Sequence, residues 1–127
     1  MQTCSILYVE DNDDVRELIG MLLEGAAREL VQCASGEAAL AALAQRPFDI
    51  LITDVSLPGL SGTELARRAL AANPRQWVVL CSGYEFGQAL HTLGPNVRSL
   101  PKPFEAEDLD ALLSEIMTRL AAPAPRH

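Results

Sequence analysis

The sequence predicts an α/β fold: a central five-stranded parallel sheet, doubly wound, with helices on both faces. Two observations predict it. Short apolar runs alternate with segments of helical periodicity along the whole chain, and strands that are apolar throughout need cover on both sides. Reactive side chains also recur at the carboxyl ends of those runs, where parallel α/β sheets bind their ligands.

The first strand is Ile6-Leu7-Tyr8-Val9, ending in acid. Val15, Leu18, Ile19, Leu22 and Leu23 then repeat at offsets that mark one face of a helix. Leu30 to Ala34 reads as the second strand. Ser35 is placed to cap the helix that carries Leu40 and Leu43, whose alanines favour helix. Phe48 to Thr53 is the third strand, and Asp54 ends it. Pro58-Gly59 marks a loop, and Ser61-Gly62-Thr63-Glu64 has the pattern of a capping box. The helix it opens turns Leu65, Ala66, Ala69 and Leu70 inward and closes at Asn73-Pro74. Trp77 to Cys81 is the fourth strand, ending at Ser82-Gly83. A short helix is expected over Glu85 to Leu93, and a fifth strand over Val97 to Leu100. Pro101 confines that strand to an edge, because it has no N–H to give a ladder. Leu109, Leu112, Leu113, Ile116, Met117 and Leu120 hold helical spacing for three turns, behind Glu105, Glu107 and Asp108, whose charge suits a helix start.

The bulk numbers agree. The chain has 127 residues, enough for one domain, and 49% of them are apolar. We expect residues 4–121 to form that domain and residues 122–127 a flexible Pro/Ala-rich tail. A net charge of −7 argues against direct nucleic-acid binding, which needs a basic patch. No apolar run approaches membrane-spanning length and no signal peptide is visible, so the expectation is a cytoplasmic protein without a membrane partner. Cys4, Cys33 and Cys81 read as reduced core thiols rather than a disulfide framework. Trp77 is expected at the sheet margin, and His91 and His127 at the surface.

The strand ends collect the chemistry. Strand one ends at Glu10-Asp11, strand three at Asp54, strand four at Ser82 and strand five at Lys102. Strand two delivers nothing reactive, which suits an outer position. Crowded carboxylates raise one another's proton affinity, and a divalent cation relieves this. All-oxygen ligation suits Mg²⁺. Asp54 can then attack phosphorus, Lys102 can neutralise the transferring oxygens, and the Ser82 hydroxyl can donate to one of them. No histidine is placed to act as general base. Glu10-Asp11 could instead cap the first helix, but Asn12 or Asp13 can do that.

Together, Ile6-Leu7-Tyr8-Val9-Glu10-Asp11-Asn12, Asp54 to Gly62, Cys81-Ser82-Gly83-Tyr84 and Leu100-Pro101-Lys102-Pro103-Phe104 strongly resemble the receiver domain of bacterial response regulators. The resemblance covers roughly residues 4 to 121. It implies a flavodoxin-like (βα)5 sandwich with strand order 2-1-3-4-5. It implies that Asp54 is the phosphoacceptor, that Asp11 and Asp54 ligate Mg²⁺ directly with the carbonyl of Ser56, and that Glu10 acts through water. Ser82 would be the switch hydroxyl and Lys102 the phosphate-sensing lysine, aimed by a cis Lys102-Pro103 bond. A histidine kinase or phosphotransfer protein would be the phosphodonor and a protein the downstream target, and a homodimer is allowed. Such a domain catalyses only its own phosphorylation and dephosphorylation, and serves alone or within a hybrid kinase or longer regulator. Ser56 and Tyr84 match positions that tune hydrolysis, and a bulky Tyr84 would shield the acyl phosphate from water. The pattern departs at Ser99, where receivers usually carry Phe or Tyr as an aromatic readout. The segment from Ser82 to Lys102 is also short, which touches the output surface near the fourth helix.

Three other readings fit less well. A haloacid-dehalogenase-like phosphatase needs Asp-x-Asp where this chain has Asp54-Val55-Ser56. A flavodoxin-like cofactor binder needs a phosphate loop where Glu10-Asp11 would repel phosphate. A degenerate receiver used only for docking would not keep the full set of acceptor, acids, hydroxyl and lysine.

Overall fold

Every predicted strand forms in the computed structural model, which describes residues 4–25, 28–82, 94–102 and 104–121, the side chains of Ser82 and Ala121 excepted. The order is β1 (Cys4–Val9), α1 (Asp13–Leu23), β2 (Arg28–Cys33), α2 (Gly36–Gln45), β3 (Ile50–Asp54), α3 (Gly62–Ala72), β4 (Trp77–Ser82), β5 (Val97–Pro101) and a last helix, α4 (Ala106–Ala121). All four pairings are parallel and the sheet runs β2-β1-β3-β4-β5, the order that the resemblance implies. The helix expected over Glu85 to Leu93, Tyr84, His91, the expected cis bond at Pro103, and the tail from Ala122 to His127 lie outside the described residues.

The strand pleat divides the core in two. Leu7, Val9, Leu51, Val78 and Leu80 face α2 and α3, where they meet Ala39, Leu65, Ala66, Ala69 and Leu70. Ile6, Tyr8, Ile50, Ile52, Val79 and Cys81 face the other way, onto Leu23, Leu109, Leu113 and Ile116. Alternate residues of one strand therefore serve opposite layers, which is why the central strands are apolar without interruption. Each fully buried leucine or isoleucine contributes roughly 1.5–3 kcal/mol. The inward face predicted for α3 is correct at all four positions.

The caps explain where the helices start. Asn12 Oδ1 accepts from the Val15 N–H at 3.0 Å, Ser35 Oγ from Ala38 at 3.1 Å and Ser61 Oγ from Glu64 at 3.1 Å. Only half of the expected capping box forms, because the Glu64 carboxylate turns to Arg67 and Arg68 instead. At the start of α4, the Asp108 carboxylate accepts from the Glu105 N–H at 2.9 Å.

Several strand bounds differ from the sequence reading. β2 begins at Arg28 and ends at Cys33, ahead of the expected Leu30–Ala34, because its ladder runs from Cys4↔Arg28 to Val9↔Cys33. An edge strand pairs through its backbone, so polar Arg28 and Glu29 can open it. β3 begins at Ile50 rather than Phe48. The Asp49 carboxylate takes the Ser5 N–H at 2.9 Å and the Ser5 hydroxyl at 3.2 Å, a side-chain clamp just before the strand. Leu18 was expected inward but is 61% exposed on α1, one turn from the equally open Met21. Leu120, at the end of α4, is also exposed. Trp77 is buried on β4, with the Arg98 guanidinium 5.1 Å from its ring. The three cysteines are free thiols; Cys4 and Cys81 are buried and Cys33 half-buried.

Candidate functional site

Three central strands and one edge strand deliver their last residues to one rim of the sheet. Glu10 and Asp11 follow β1, Asp54 ends β3, Ser82 ends β4, and Lys102 follows β5. The register sets Ser82 opposite Pro101, so β4 and β5 leave the sheet at the same level. Carboxylate oxygens of Glu10, Asp11 and Asp54 all lie within 4.8 Å of one another. Lys102 Nζ is 2.8 Å from Asp54 Oδ2 and 3.5 Å from Glu10 Oε1. Four residues from three strand ends that the sequence singled out are thus brought together. Ser82 is placed by its backbone at the end of the strand beside Asp54.

Burial grades the cluster. Glu10 is 3% exposed, Asp54 is half-buried and Asp11 is open to solvent. Burial raises the pKa of Glu10, and the neighbouring Asp54 and Asp11 add to the rise, against the Asn12 N–H and Lys102. Burial alone would lower the Lys102 pKa, but its hydrogen bond to Asp54 and the charges of Asp54 and Glu10 outweigh that, and the net shift is upward. Lys102 is therefore held as a cation. The Cys81 thiol behind it is pushed up to about 12, chiefly by burial.

Local backbone contacts hold the acids in place. The Asn12 N–H donates to Glu10 Oε2 at 3.2 Å, and Arg16 Nη1 donates to the Glu10 carbonyl at 2.9 Å. The Ser56 N–H donates to Asp54 Oδ1 at 3.1 Å. Both Asp54 oxygens are therefore engaged, one by Ser56 and one by Lys102. Gly62, the first residue of α3, packs directly on this strand end. Its N–H donates to the Val55 carbonyl at 3.0 Å, and a Cβ on it would stand 1.9 Å from the Asp54 carbonyl oxygen.

Beside the acids, a cavity of about 350 Å³ is walled by Tyr8, Val15, Ile19, Cys81 and Phe104, with Glu10, Asp54 and Lys102 also lining it. Burial, then Glu10, drives the Tyr8 phenol pKa upward, so it stays protonated. Sequence reasoning missed Tyr8, Arg16 and the close packing of Gly62. Tyr8 and Gly62 sit inside the quoted motifs, but only strand pleat and helix entry reveal what they touch. Arg16 follows Asn12 by one helical turn, the one signal that could have placed it against Glu10.

Oxygen donors of three carboxylates, one of them deeply buried, form a set that a hard divalent cation fits. An all-oxygen cluster of this spacing, from Glu10, Asp11 and Asp54, is compatible with a divalent cation such as Mg²⁺.

The family described as response regulator receiver domain matches residues 6–114. The response regulator receiver protein CpdR of Brucella abortus is 33% identical over 110 residues, which covers 82% of this chain and 88% of that protein. The virulence sensor protein BvgS of Bordetella pertussis is 33% identical over 130 residues, covering 94% of this chain but only 10% of that protein. Among solved structures, a CheY-like response regulator receiver domain from Methylobacillus flagellatus superposes with a TM-score of 0.79 at 28% identity, covering 91% of this chain and 99% of that one.

Proposed function

The chain belongs to the receiver-domain family of response regulators, and from that premise we propose that it is a phosphorylation-activated switch whose phosphoacceptor is Asp54. The observation that carries this reading is the meeting of Glu10, Asp11 and Asp54 within 4.8 Å, with Lys102 Nζ 2.8 Å from Asp54. A carboxylate oxygen of Asp54 attacks the phosphorus of a phosphohistidine on a histidine kinase or phosphotransfer protein. The P–N bond breaks and the imidazole leaves with its electron pair.

Mg²⁺ fits beside the acceptor, held by Asp11, Asp54 and the Ser56 carbonyl, with Glu10 acting through water. When bound, it supplies charge neutralisation to the phosphoryl oxygens. The chain's own residues do the rest. Glu10, fixed by the Asn12 N–H, anchors the acidic end of the cluster. Lys102 exchanges its bond to Asp54 for one to the new phosphoryl group. Ser82, at the end of β4, donates its hydroxyl to a phosphoryl oxygen, and that movement biases a protein-binding surface. Ser99 is exposed on β5, so the readout in this chain proceeds without an aromatic at that position.

In this reading residues 4–121 form the working domain and residues 122–127 a tail. It is not an enzyme acting on a separate substrate. It works in the cytoplasm, meets proteins rather than nucleic acid or membrane, and can form a homodimer. It serves as a stand-alone regulator or as the receiver of a hybrid kinase or longer regulator. Incubation with acetyl phosphate and Mg²⁺, read by intact mass, is the test. The native chain should gain one phosphoryl group that hydroxylamine removes, and Asp54→Asn should gain none. Equal uptake by the variant would overturn the assignment.

A further inference from the structure

The opposite pole of the sheet carries a second cavity, also of about 350 Å³. It lies at the amino ends of β3 and β4, about 15 Å from Asp54 along β3. The last turns of α2 and α3 wall it with Leu43, Ala44, Ala69 and Ala72. Arg46, Pro47 and Gln76, from the segments that follow those helices, also line it.

Both helices end there with carbonyl groups to spare. The Arg46 N–H takes the Ala42 carbonyl and the Asn73 N–H takes that of Ala69. The next carbonyls, of Leu43 and Leu70, would look four residues on for a donor. Those positions are Pro47 and Pro74, which have no N–H. Among the described residues, no backbone N–H outside the helices reaches the last three carbonyls of either one. Neither helix has a basic residue in its last turn; Arg46, the residue that follows α2, is the one cation among the lining residues.

Gln76 is an independent observation at the same place. It is 4% exposed, and the two N–H groups of its Nε2 are shared among the carbonyls of Phe48 at 3.0 Å, Asp49 at 3.2 Å and Trp77 at 3.2 Å. Those three acceptors fix the amide, since the flipped form would press oxygen against oxygen. Oε1 thus points away from them and accepts from no donor among the described residues. Gln76 lines the cavity, and Oε1 is not an enclosed atom left without a partner. Arg46 does not fill the role of the cation. Its guanidinium pairs with Glu29, lies 4.5 Å from the centre of the Phe48 ring and leans on the Pro47 carbonyl.

We propose that this cavity binds a guanidinium group on a short aliphatic stem, with its N–H groups on the free helix carbonyls and Gln76 Oε1 and its stem against Leu43, Pro47 and Ala69. A guanidinium has five donors and no acceptor, which suits a site rich in carbonyl oxygen. The net charge of −7 favours a cation. This site stands apart from the acidic cluster and does not depend on the phosphorylation reading.

The test is an NMR titration of the full ¹⁵N-labelled chain in saturating Mg²⁺, which occupies the acidic cluster. Butylguanidinium should shift the amides of Leu43–Gln45 and Ala72–Gln76 saturably, with roughly millimolar affinity for so small a ligand. Butylurea, its neutral counterpart, should bind at least tenfold more weakly. Ala72→Lys places an ammonium in the last turn of α3 and should weaken butylguanidinium at least tenfold, while Ala72→Gln stays within twofold. N-acetylarginine amide forms a second arm: tighter binding than butylguanidinium assigns the site to a protein's arginine, weaker binding to a free guanidine. The proposal falls if no shift saturates, if butylurea binds equally, if the shifts confine themselves to Glu10, Asp11 and Asp54, or if Ala72→Lys binds like the native chain.

Discussion

Lys102 Nζ lies 2.8 Å from Asp54 Oδ2 and 3.5 Å from Glu10 Oε1, so one ammonium from an edge strand bridges carboxylates carried by two inner strands. A divalent cation placed among those carboxylates would meet Lys102 as a like charge. Replacing Lys102 with Met removes that competition. Mg²⁺ should then bind roughly three- to tenfold more tightly, a modest gain because Lys102 is partly solvated. Phosphoryl uptake should nevertheless fall at least tenfold, because no fixed cation remains for the transferring oxygens. Calorimetric titration of Mg²⁺ and single-turnover phosphorylation check the two halves separately. Unchanged metal affinity would show that Lys102 does not share the carboxylates with the metal.

Gly62 and Gly20 offer a paired test of what glycine does here. A Cβ at Gly62 would meet the backbone of Asp54 at 1.9 Å, and backbone at a strand end has nowhere to go. At Gly20 the nearest atoms are the far end of the Gln32 side chain at 2.9 Å, which is exposed and can swing away. Gly62→Ala should cost about 3 kcal/mol or more and also slow phosphorylation, since the relief must displace Asp54. Gly20→Ala, in mid-helix, should be neutral or gain up to about 1 kcal/mol. Urea unfolding of both variants decides. Equal effects would mean that α3 can slide away from β3 without strain.

The fold and the acidic rim were legible because both are written in short spacings. Apolar runs ending in Glu10-Asp11, Asp54 and Lys102 needed only the rule that parallel strands share a direction. Ser35 and Ser61 were legible as caps for the same local reason. What stayed hidden depends on the third dimension. Gln76 reads as one more polar loop residue, yet it ties three carbonyls together. Asp49 reads as part of a strand, yet it clamps Ser5. Gly62 reads as a helix start, and only its contact with Asp54 shows why a side chain is excluded.

Leu18 shows the same limit from the other direction. Its spacing from Val15 and Leu22 suits an inward face, but α1 has only one sheet to cover and its stripe is narrower than the apolar run. Leu18 is left 61% exposed, whereas Leu113 on α4 is fully buried. Leu18→Ser should change stability by less than about 0.5 kcal/mol. Leu113→Ala should cost roughly 2–5 kcal/mol through lost burial and the cavity left behind. Urea midpoints settle the comparison; a large loss at Leu18 would mean that α1 is packed more deeply than its exposure indicates.

The buried thiols set an alkaline limit. Burial, then Asp49, raises Cys4 from 9.0 to about 11, and burial raises Cys81 to about 12. Because the unfolded chain ionises these thiols first, the stability linked to their neutral form is complete below pH 9 and drains away as pH rises through 9 toward 12. Burial also raises Cys33. Tyr8 is raised from 10.0, so its own contribution begins to fade only above pH 10. The window from pH 9 to 10 therefore isolates the thiols. The urea midpoint of the metal-free chain should be flat from pH 7.5 to 8.5 and fall between 9 and 10. A Cys4→Ala, Cys81→Ala double variant should start from a lower midpoint, because methyl-sized voids replace sulfur, but should show a shallower fall over the same window. The same burial predicts that iodoacetamide at pH 8 modifies Cys33 before Cys4 and Cys81 in the native chain, and all three alike in urea, as read by peptide mass. If the double variant kept the native slope, another ionising group would be setting the alkaline limit and the thiols would be bystanders.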